Sequence, residues 1–241
     1  MTDRSRLALL DASHSGESTR RNFRRELDAD LLELDAHDTL PPVDEVDIDG
    51  IVVTGSASSV YWDEPWIDAL VEWVRAAVED RGLPALGVCF GHQTLATALG
   101  GRVEHMGEYE IGYREVRREG GHSDPVLGDL DDRFLAFTTH QDAVVELPPG
   151  AERIAANDYG VQGFRLGLAW GVQFHPEYDL DTAERIAEQK RDHELLTDEA
   201  VDEVLAGVTA ESYDRACRAK RLFDSFVAVV REERAAREQT A

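Results

Sequence analysis

Two short segments hold the residue types that thiol chemistry needs. Segment 87–91 reads Gly-Val-Cys-Phe-Gly, and segment 172–177 reads Val-Gln-Phe-His-Pro-Glu. A cysteine becomes an effective nucleophile when a base takes its proton and a third group orients that base. Cys89 is the candidate nucleophile, His175 the base and Glu177 the orienting carboxylate. His175 and Glu177 flank Pro176, and in an extended segment residues i and i+2 point to one side. The Glu177 carboxylate then reaches one imidazole nitrogen while the other faces the sulfur. The apolar run Pro-Ala-Leu-Gly-Val leads straight into Cys89 and a helical pattern follows, so the cysteine is expected on a sharp strand-to-helix turn. Gly87 and Gly91 let the neighbouring backbones approach without Cβ clashes. A helix N-terminus favours thiolate through its dipole and free N–H groups. The N–H of Phe90 points the same way and can receive the oxyanion of an acyl-transfer intermediate.

An oxyanion hole needs a second donor. Thr54-Gly55-Ser56 ends a β-branched run and is its natural source, with Gly55 and Ser56 both candidates; the plainer alternative is a strand-ending turn. The chain has two cysteines, Cys89 and Cys217, too few for a disulfide framework at this length. His14, His37, His105, His122 and His193 lack metal-ligand spacing and no His-Glu-x-x-His occurs, so neither a metal nor a cofactor is expected. His92 has no assigned role, and Cys217 is expected to be structural or idle.

The elements that must position these groups follow from periodicity. Segments 6–12, 31–36, 50–54 and 84–89 read as strands. The first, Arg-Leu-Ala-Leu-Leu-Asp-Ala, is far too short for the apolar region of a signal peptide. A charged helix is expected over 18–29, with Phe23 and Leu27 four apart. The clearest helix has Ile67, Leu70, Val71, Val74 and Val78 on one face, with Asp63 and Pro65 as start signals and Gly82 as a stop. Trp62, Trp66 and Trp73 are expected to anchor its packing. A further helix through Leu95 and Leu99 ends at Gly100-Gly101. Strand and helix in alternation imply a parallel sheet with helices on both faces. Segments 109–118, 133–147, 151–157 and 161–175 read as shorter strands, some antiparallel. From Leu180 the pattern is helical to the end, with Ala183, Ile186 and Ala187 on one apolar face and Leu222, Phe226, Val229 and Val230 on another.

With the second motif and Gln93 added, the sequence Gly-Val-Cys-Phe-Gly-His-Gln followed by Phe-His-Pro-Glu resembles class I glutamine amidotransferases. Those proteins carry a G-x-C-x-G-x-Q elbow and a later F-H-P-E. The resemblance covers about residues 5–180. Thr-Gly-Ser-Ala-Ser-Ser-Val-Tyr-Trp-Asp-Glu-Pro-Trp-Ile at 54–67 and Glu-Ile-Gly-Tyr at 110–113 are similar to the branch near the glutaminase part of GMP synthase. The resemblance implies an α/β, flavodoxin-like fold: a mostly parallel central sheet, an added antiparallel portion and a C-terminal helical extension. The amidotransferase domain is expected over 1–185 and the packed helical extension over 186–241. It also implies a triad of Cys89, His175 and Glu177. Gln93 would contact the glutamine substrate. Thr139-His140-Gln141-Asp142, similar to the family's S-H-x-D stretch, would border the substrate's amino-acid end, with Asp142 able to meet its ammonium group. The family usually shows two glycines and a proline where this chain has Gly55, Ser56 and Ala57, which leaves open which N–H points inward. A related cysteine-hydrolase group places a histidine directly after the nucleophile, and Phe90 argues against it.

The expected activity is hydrolysis of the glutamine side-chain amide through a cysteinyl thioester, giving glutamate and ammonia. No Walker-type loop and no Ser-Gly-Gly-x-Asp-Ser stretch occurs. The ammonia acceptor then belongs to a separate ATP-dependent synthetase, or the chain is a stand-alone γ-glutamyl hydrolase. A non-catalytic binding protein on the same fold is a third reading, which the intact triad disfavours. The formal charge of −24 excludes nucleic acid as a partner, because phosphates demand a basic surface. No apolar run reaches the ~18–20 residues of a membrane span, so a cytoplasmic location is expected. Lys190 and Lys220 are the only lysines against 49 carboxylate residues. That composition points to a high-salt cytoplasm, where self-repulsion is screened.

Overall fold

The computed structural model describes residues 4–14, 16–119, 123–193 and 195–240; His122 lies outside them. The chain opens with β1 (Arg6–Asp11), α1 (Glu17–Glu26), β2 (Asp30–Asp35) and β3 (Gly50–Val53). Next come α2 (Pro65–Arg75), β4 (Ala85–Val88) and α3 (Phe90–Ala98). Five strands follow: β5 (Arg102–Arg118), β6 (Arg133–Glu146), β7 (Glu152–Asn157), β8 (Gly160–Leu166) and β9 (Ala169–Val172). The chain closes with α4 (Leu180–Glu188), α5 (Asp198–Gly207), α6 (Ala210–Ala216) and α7 (Arg221–Thr240).

The described strands form one nine-stranded sheet in the order β2-β1-β3-β4-β9-β8-β7-β5-β6. β2, β1, β3, β4 and β9 run parallel, and β9 to β6 pair antiparallel. Alternation along β1 shows how both faces are covered. Leu7 and Leu9 pack with Phe23 of α1 and Leu222, Phe223, Phe226 and Val230 of α7. Ala8 and Leu10 pack on the other face with Ile67, Leu70 and Val74 of α2 and Leu95 of α3. The C-terminal helix is thus built into the core. Phe226 is fully buried and meets Trp170 edge-on at 6.4 Å, and truncating such a ring costs about 3–5 kcal/mol. A third cluster joins Ile111 and Phe137 of the antiparallel strands to Ala183 and Ala187 of α4.

Three expectations need correction. Segment 161–175 is two strands, because the chain turns at Gly167 (φ 58°) and Leu168 between β8 and β9. β5 starts at Arg102, well before the expected 109, since pairing with β6 resumes across an irregularity between His105 and Glu110. The α2 helix widens at its end into a π-helical turn over Ala76–Asp80, where the Arg81 N–H donates to the Ala76 carbonyl at 3.1 Å. Gly82, with φ 61°, follows as the stop.

Candidate active site

Cys89 stands between β4 and α3 with φ 55°, the only positive φ of a non-glycine residue among those described. The turn is held open by close packing. A Cβ on Gly87 would meet the Gly91 carbonyl oxygen at 2.2 Å, and one on Gly91 would meet the Val53 carbonyl oxygen at 2.2 Å. Both positions therefore need glycine. The Cys89 N–H donates to the Val172 carbonyl at 2.8 Å, so the β4–β9 pairing carries the turn. The sulfur lies 3.8 Å from the Thr139 carbonyl oxygen and 3.6 Å from Gln173 Nε2.

His175 follows β9 and is fixed from four sides. Its N–H donates to the Phe137 carbonyl at 2.8 Å. Its ring stacks on Tyr178 at 4.2 Å, and its Nδ1 lies 2.8 Å from Glu177 Oε1. Gly55 closes the remaining side, and a Cβ there would come within 2.9 Å of the ring and 3.6 Å of the Cys89 Cβ. Nε2 is buried and has no hydrogen-bond partner among the described residues. Burial works against a charged ring here, but the Glu177 carboxylate and the Cys89 sulfur outweigh it and push the His175 pKa up to about 10. The same surroundings, burial first and then the charges of Glu177 and Cys89, hold the Tyr178 phenol well above its ordinary range. Glu177 is itself buried. Arg25 of α1 donates to its backbone carbonyl and pairs with Asp179 at 2.8 Å.

One cavity of about 570 Å³ takes in every residue expected in the triad, the oxyanion hole and the substrate-binding stretch. Cys89, His175 and Glu177 line it with Phe90, Gly55, Ser56, Gln93, Thr139, His140, Gln141 and Asp142. Two of these are tied differently from expectation. Both Asp142 carboxylate oxygens already accept hydrogen bonds, from Ser59 Oγ at 2.5 Å and Tyr61 Oη at 2.7 Å. His140 turns its ring back into the protein, with Nε2 2.7 Å from Glu110 Oε2 and Nδ1 donating to the Asp142 carbonyl at 2.9 Å. Trp62 lies 46% exposed at the cavity instead of anchoring α2, whereas Trp73 is buried and donates to the Pro41 carbonyl. His92 points away from the cavity, against Phe164 at 5.1 Å. Among the described residues no group of three or more His, Cys, Asp or Glu could hold a metal ion. No helix among them is long and apolar enough to cross a membrane.

Sequence reasoning missed Gln173, Tyr178 and Glu110. Gln173 and His175 are two apart in one extended motif, so the i, i+2 argument that joins His175 to Glu177 applies to Gln173 as well.

The family model described as Glutamine amidotransferase class-I matches residues 11–191. The chain belongs to that family. Over 142 residues it is 39% identical to the glutamine-hydrolyzing GMP synthase of Cupriavidus pinatubonensis, a match covering 53% of this chain and 24% of that protein. The match thus spans about a quarter of that relative's length. Two solved structures share the fold. A glutamine amidotransferase from Thermotoga maritima superposes with a TM-score of 0.76 at 23% identity, covering 93% of this chain and 98% of that one. A glutamine amido transferase from Methylobacillus flagellatus gives 0.73 at 24% identity, covering 93% and 95%. The chain is therefore a class I glutamine amidotransferase that resembles the glutaminase part of GMP synthase.

Proposed function

We propose that this amidotransferase hydrolyses the side-chain amide of glutamine at Cys89 and hands the ammonia to a separate ATP-dependent synthetase. The observation that carries the reading is the buried His175, oriented by Glu177 Oε1 at 2.8 Å from its Nδ1 and lining one cavity with Cys89. An imidazole so oriented can take the thiol proton, and the thiolate so formed is the attacking species. The thiolate adds to the amide carbon, and the oxyanion is received by the Phe90 N–H and an N–H from Gly55 or Ser56. His175 gives its proton to the departing ammonia, leaving a γ-glutamyl thioester. It then takes a proton from water, whose oxygen attacks the thioester, and glutamate leaves as the sulfur recovers its charge. Gln93 and the Thr139–Asp142 stretch would hold the amino-acid end of the substrate.

The domain reading accompanies this one: an amidotransferase domain over 1–185 and a helical extension over 186–241, working in a salt-rich cytoplasm. The test is glutamate release from glutamine by the purified chain in concentrated potassium chloride, with Cys89→Ala as control. Release that is lost in the control supports the reading. Release that persists in Cys89→Ala would overturn it.

A second reading, hydrolysis of larger γ-glutamyl compounds with water as the final acceptor, draws on the cavity. It has more room than glutamine alone needs and extends to Tyr109 and to Lys190, whose ammonium lies 5.3 Å from the Tyr109 ring centroid. Faster release of glutamate from γ-glutamyl dipeptides than from glutamine would favour it.

A further inference from the structure

A line of buried polar contacts runs from the Cys89 sulfur into the antiparallel half of the sheet. Gln173, fully buried, donates from Nε2 to Cys89 Sγ at 3.6 Å. Its Oε1 accepts from Gln93 Nε2 at 3.2 Å. The same Gln93 nitrogen donates to the Asp142 carbonyl oxygen at 3.1 Å. That oxygen also accepts from His140 Nδ1, and the far nitrogen of the ring meets Glu110. Glu110 is fully buried, and its carboxylate is held by Asn157 Nδ2 at 2.6 Å and Gln162 Nε2 at 3.0 Å.

The order of donors along this line is forced. A carbonyl oxygen can only accept, so the Gln93 end at Asp142 must be the NH₂ group. Gln93 therefore offers a hydrogen to Gln173, which must answer with its oxygen. The Gln173 NH₂ group is then left facing the sulfur. Turned the other way, Gln173 would set its NH₂ group against the Gln93 NH₂ group and a carbonyl oxygen against the thiolate. A donor aimed at an ionised sulfur stabilises the charged form, and burial strengthens it.

We propose that Gln173 is a catalytic residue whose carboxamide N–H holds the Cys89 thiolate, with Gln93, His140 and Glu110 as positioning residues that fix the direction of that donor. This rests on the cysteine-nucleophile reading of the site but not on the identity of the substrate. It also gives His140 and Gln93 work that direct substrate contact does not. No hydrogen bond from a described residue reaches Gln93 Oε1, so that atom remains available to the cavity.

The test is the rate of Cys89 alkylation by iodoacetamide across pH. It is made on the full chain in potassium chloride and in a Cys217→Ala background, so that one thiol remains. Gln173→Leu removes the donor and Gln173→Glu replaces it with an acceptor of the same shape. The other titratable groups about the sulfur, His175, Glu177 and Tyr178, are unchanged in both. Alkylation at neutral pH should slow roughly tenfold in Gln173→Leu, with the midpoint of the profile moved to higher pH, and further in Gln173→Glu. Glu110→Gln should move the midpoint the same way by less. In steady-state glutamate release the loss should fall on kcat with KM for glutamine unchanged. If Gln173→Leu fails to fold, the isosteric Gln173→Glu decides the question. An alkylation profile unchanged in the folded Gln173 variants would overturn the proposal, as would a wild-type Cys89 that resists iodoacetamide at every pH. A wild-type chain that is alkylated in the expected way but releases no glutamate would count against the glutaminase reading and leave the Gln173 assignment standing.

Discussion

Gly55 and His175 touch so closely that a single methyl on the glycine would press on the imidazole. The ideal Cβ position lies 2.9 Å from the ring Cε1 and 3.8 Å from Nδ1. The ring cannot yield easily, because it stacks on Tyr178 on one side and is tied to Glu177 at Nδ1. Gly55→Ala should therefore displace the base or the loop carrying the second oxyanion donor. Misplacement of a reacting group by about 1 Å costs on the order of a hundredfold in rate. Glutamate release should fall by about that factor while the thermal unfolding midpoint changes little. Full activity in Gly55→Ala would show that neither the base nor the oxyanion donor depends on this contact.

Glu177 should set the alkaline limit of activity. His175 has its pKa pushed up to about 10 by Glu177 and Cys89 against the opposing effect of burial. Glu177→Gln keeps an oxygen that can accept from Nδ1 but removes the charge. The folded-state pKa of His175 should then drop, and the cation that protonates ammonia should be lost at lower pH. The kcat/KM profile of the variant should bend downward at least about one pH unit earlier on its alkaline side. Stability follows the same sign. A raised folded pKa contributes stability that is present below the ordinary value of 6.5 and is lost as pH rises towards about 10. The wild type should thus lose stability across that window and Glu177→Gln should lose less. Coincident alkaline limbs would separate Glu177 from the base.

Much of this arrangement was legible in the sequence because it depends on local pattern. The turn at Cys89 follows from two glycines around a cysteine at a strand end, and His175 with Glu177 follows from i, i+2 geometry. The α2 face and both faces of β1 follow from periodicity. What was not legible depends on partners distant in the chain. Gln93 and Gln173 are 80 residues apart, and His140 and Glu110 are 30 apart. No local rule says that a buried carboxylate on one antiparallel strand will turn a histidine on its neighbour away from the cavity. Asp142 looked open to an ammonium group because Ser59 and Tyr61, which occupy its oxygens, arrive from the loop after β3. The division of 161–175 into β8 and β9 was hidden by continuous apolar character across the turn.

His92 should make the fold sensitive to mild acid. It is fully buried and neither ring nitrogen has a well-formed hydrogen bond to a described residue. Burial outweighs the nearby Gly171 backbone and holds its pKa down to about 3 from an ordinary 6.5. The unfolded chain then binds a proton that the folded chain refuses between those values, so stability is present above 6.5 and is lost as pH falls towards 3. The slope from one such group is about 1.4 kcal/mol per pH unit. His92→Met fills a similar space without the titration. Urea unfolding at a series of pH values should show the wild type losing stability faster than the variant through this window. Parallel curves would mean that His92 finds a partner for its proton in the folded state.

The charge balance predicts a stability that rises with ionic strength. The chain carries 49 acidic against 25 basic residues. Many of its arginines are shared between carboxylates: Arg24 between Glu17 and Glu33, Arg191 between Glu188 and Asp202, and Arg20 between Asp11 and Asp35. Once these are paired, the remaining surface carboxylates repel one another with little to offset them. Screening shortens that repulsion from a reach of about 10 Å at 0.1 M salt to about 3 Å at 1 M. It also weakens the exposed pairs, but such pairs contribute only ~0–1 kcal/mol each. Relief of net repulsion should therefore win, and the unfolding midpoint should climb steadily with potassium chloride over that range. Sucrose strengthens apolar burial without screening charge, so it separates the two explanations. A protein stabilised as well by sucrose in dilute buffer as by potassium chloride would owe its salt response to burial rather than to its charge, and the high-salt reading of its composition would fail.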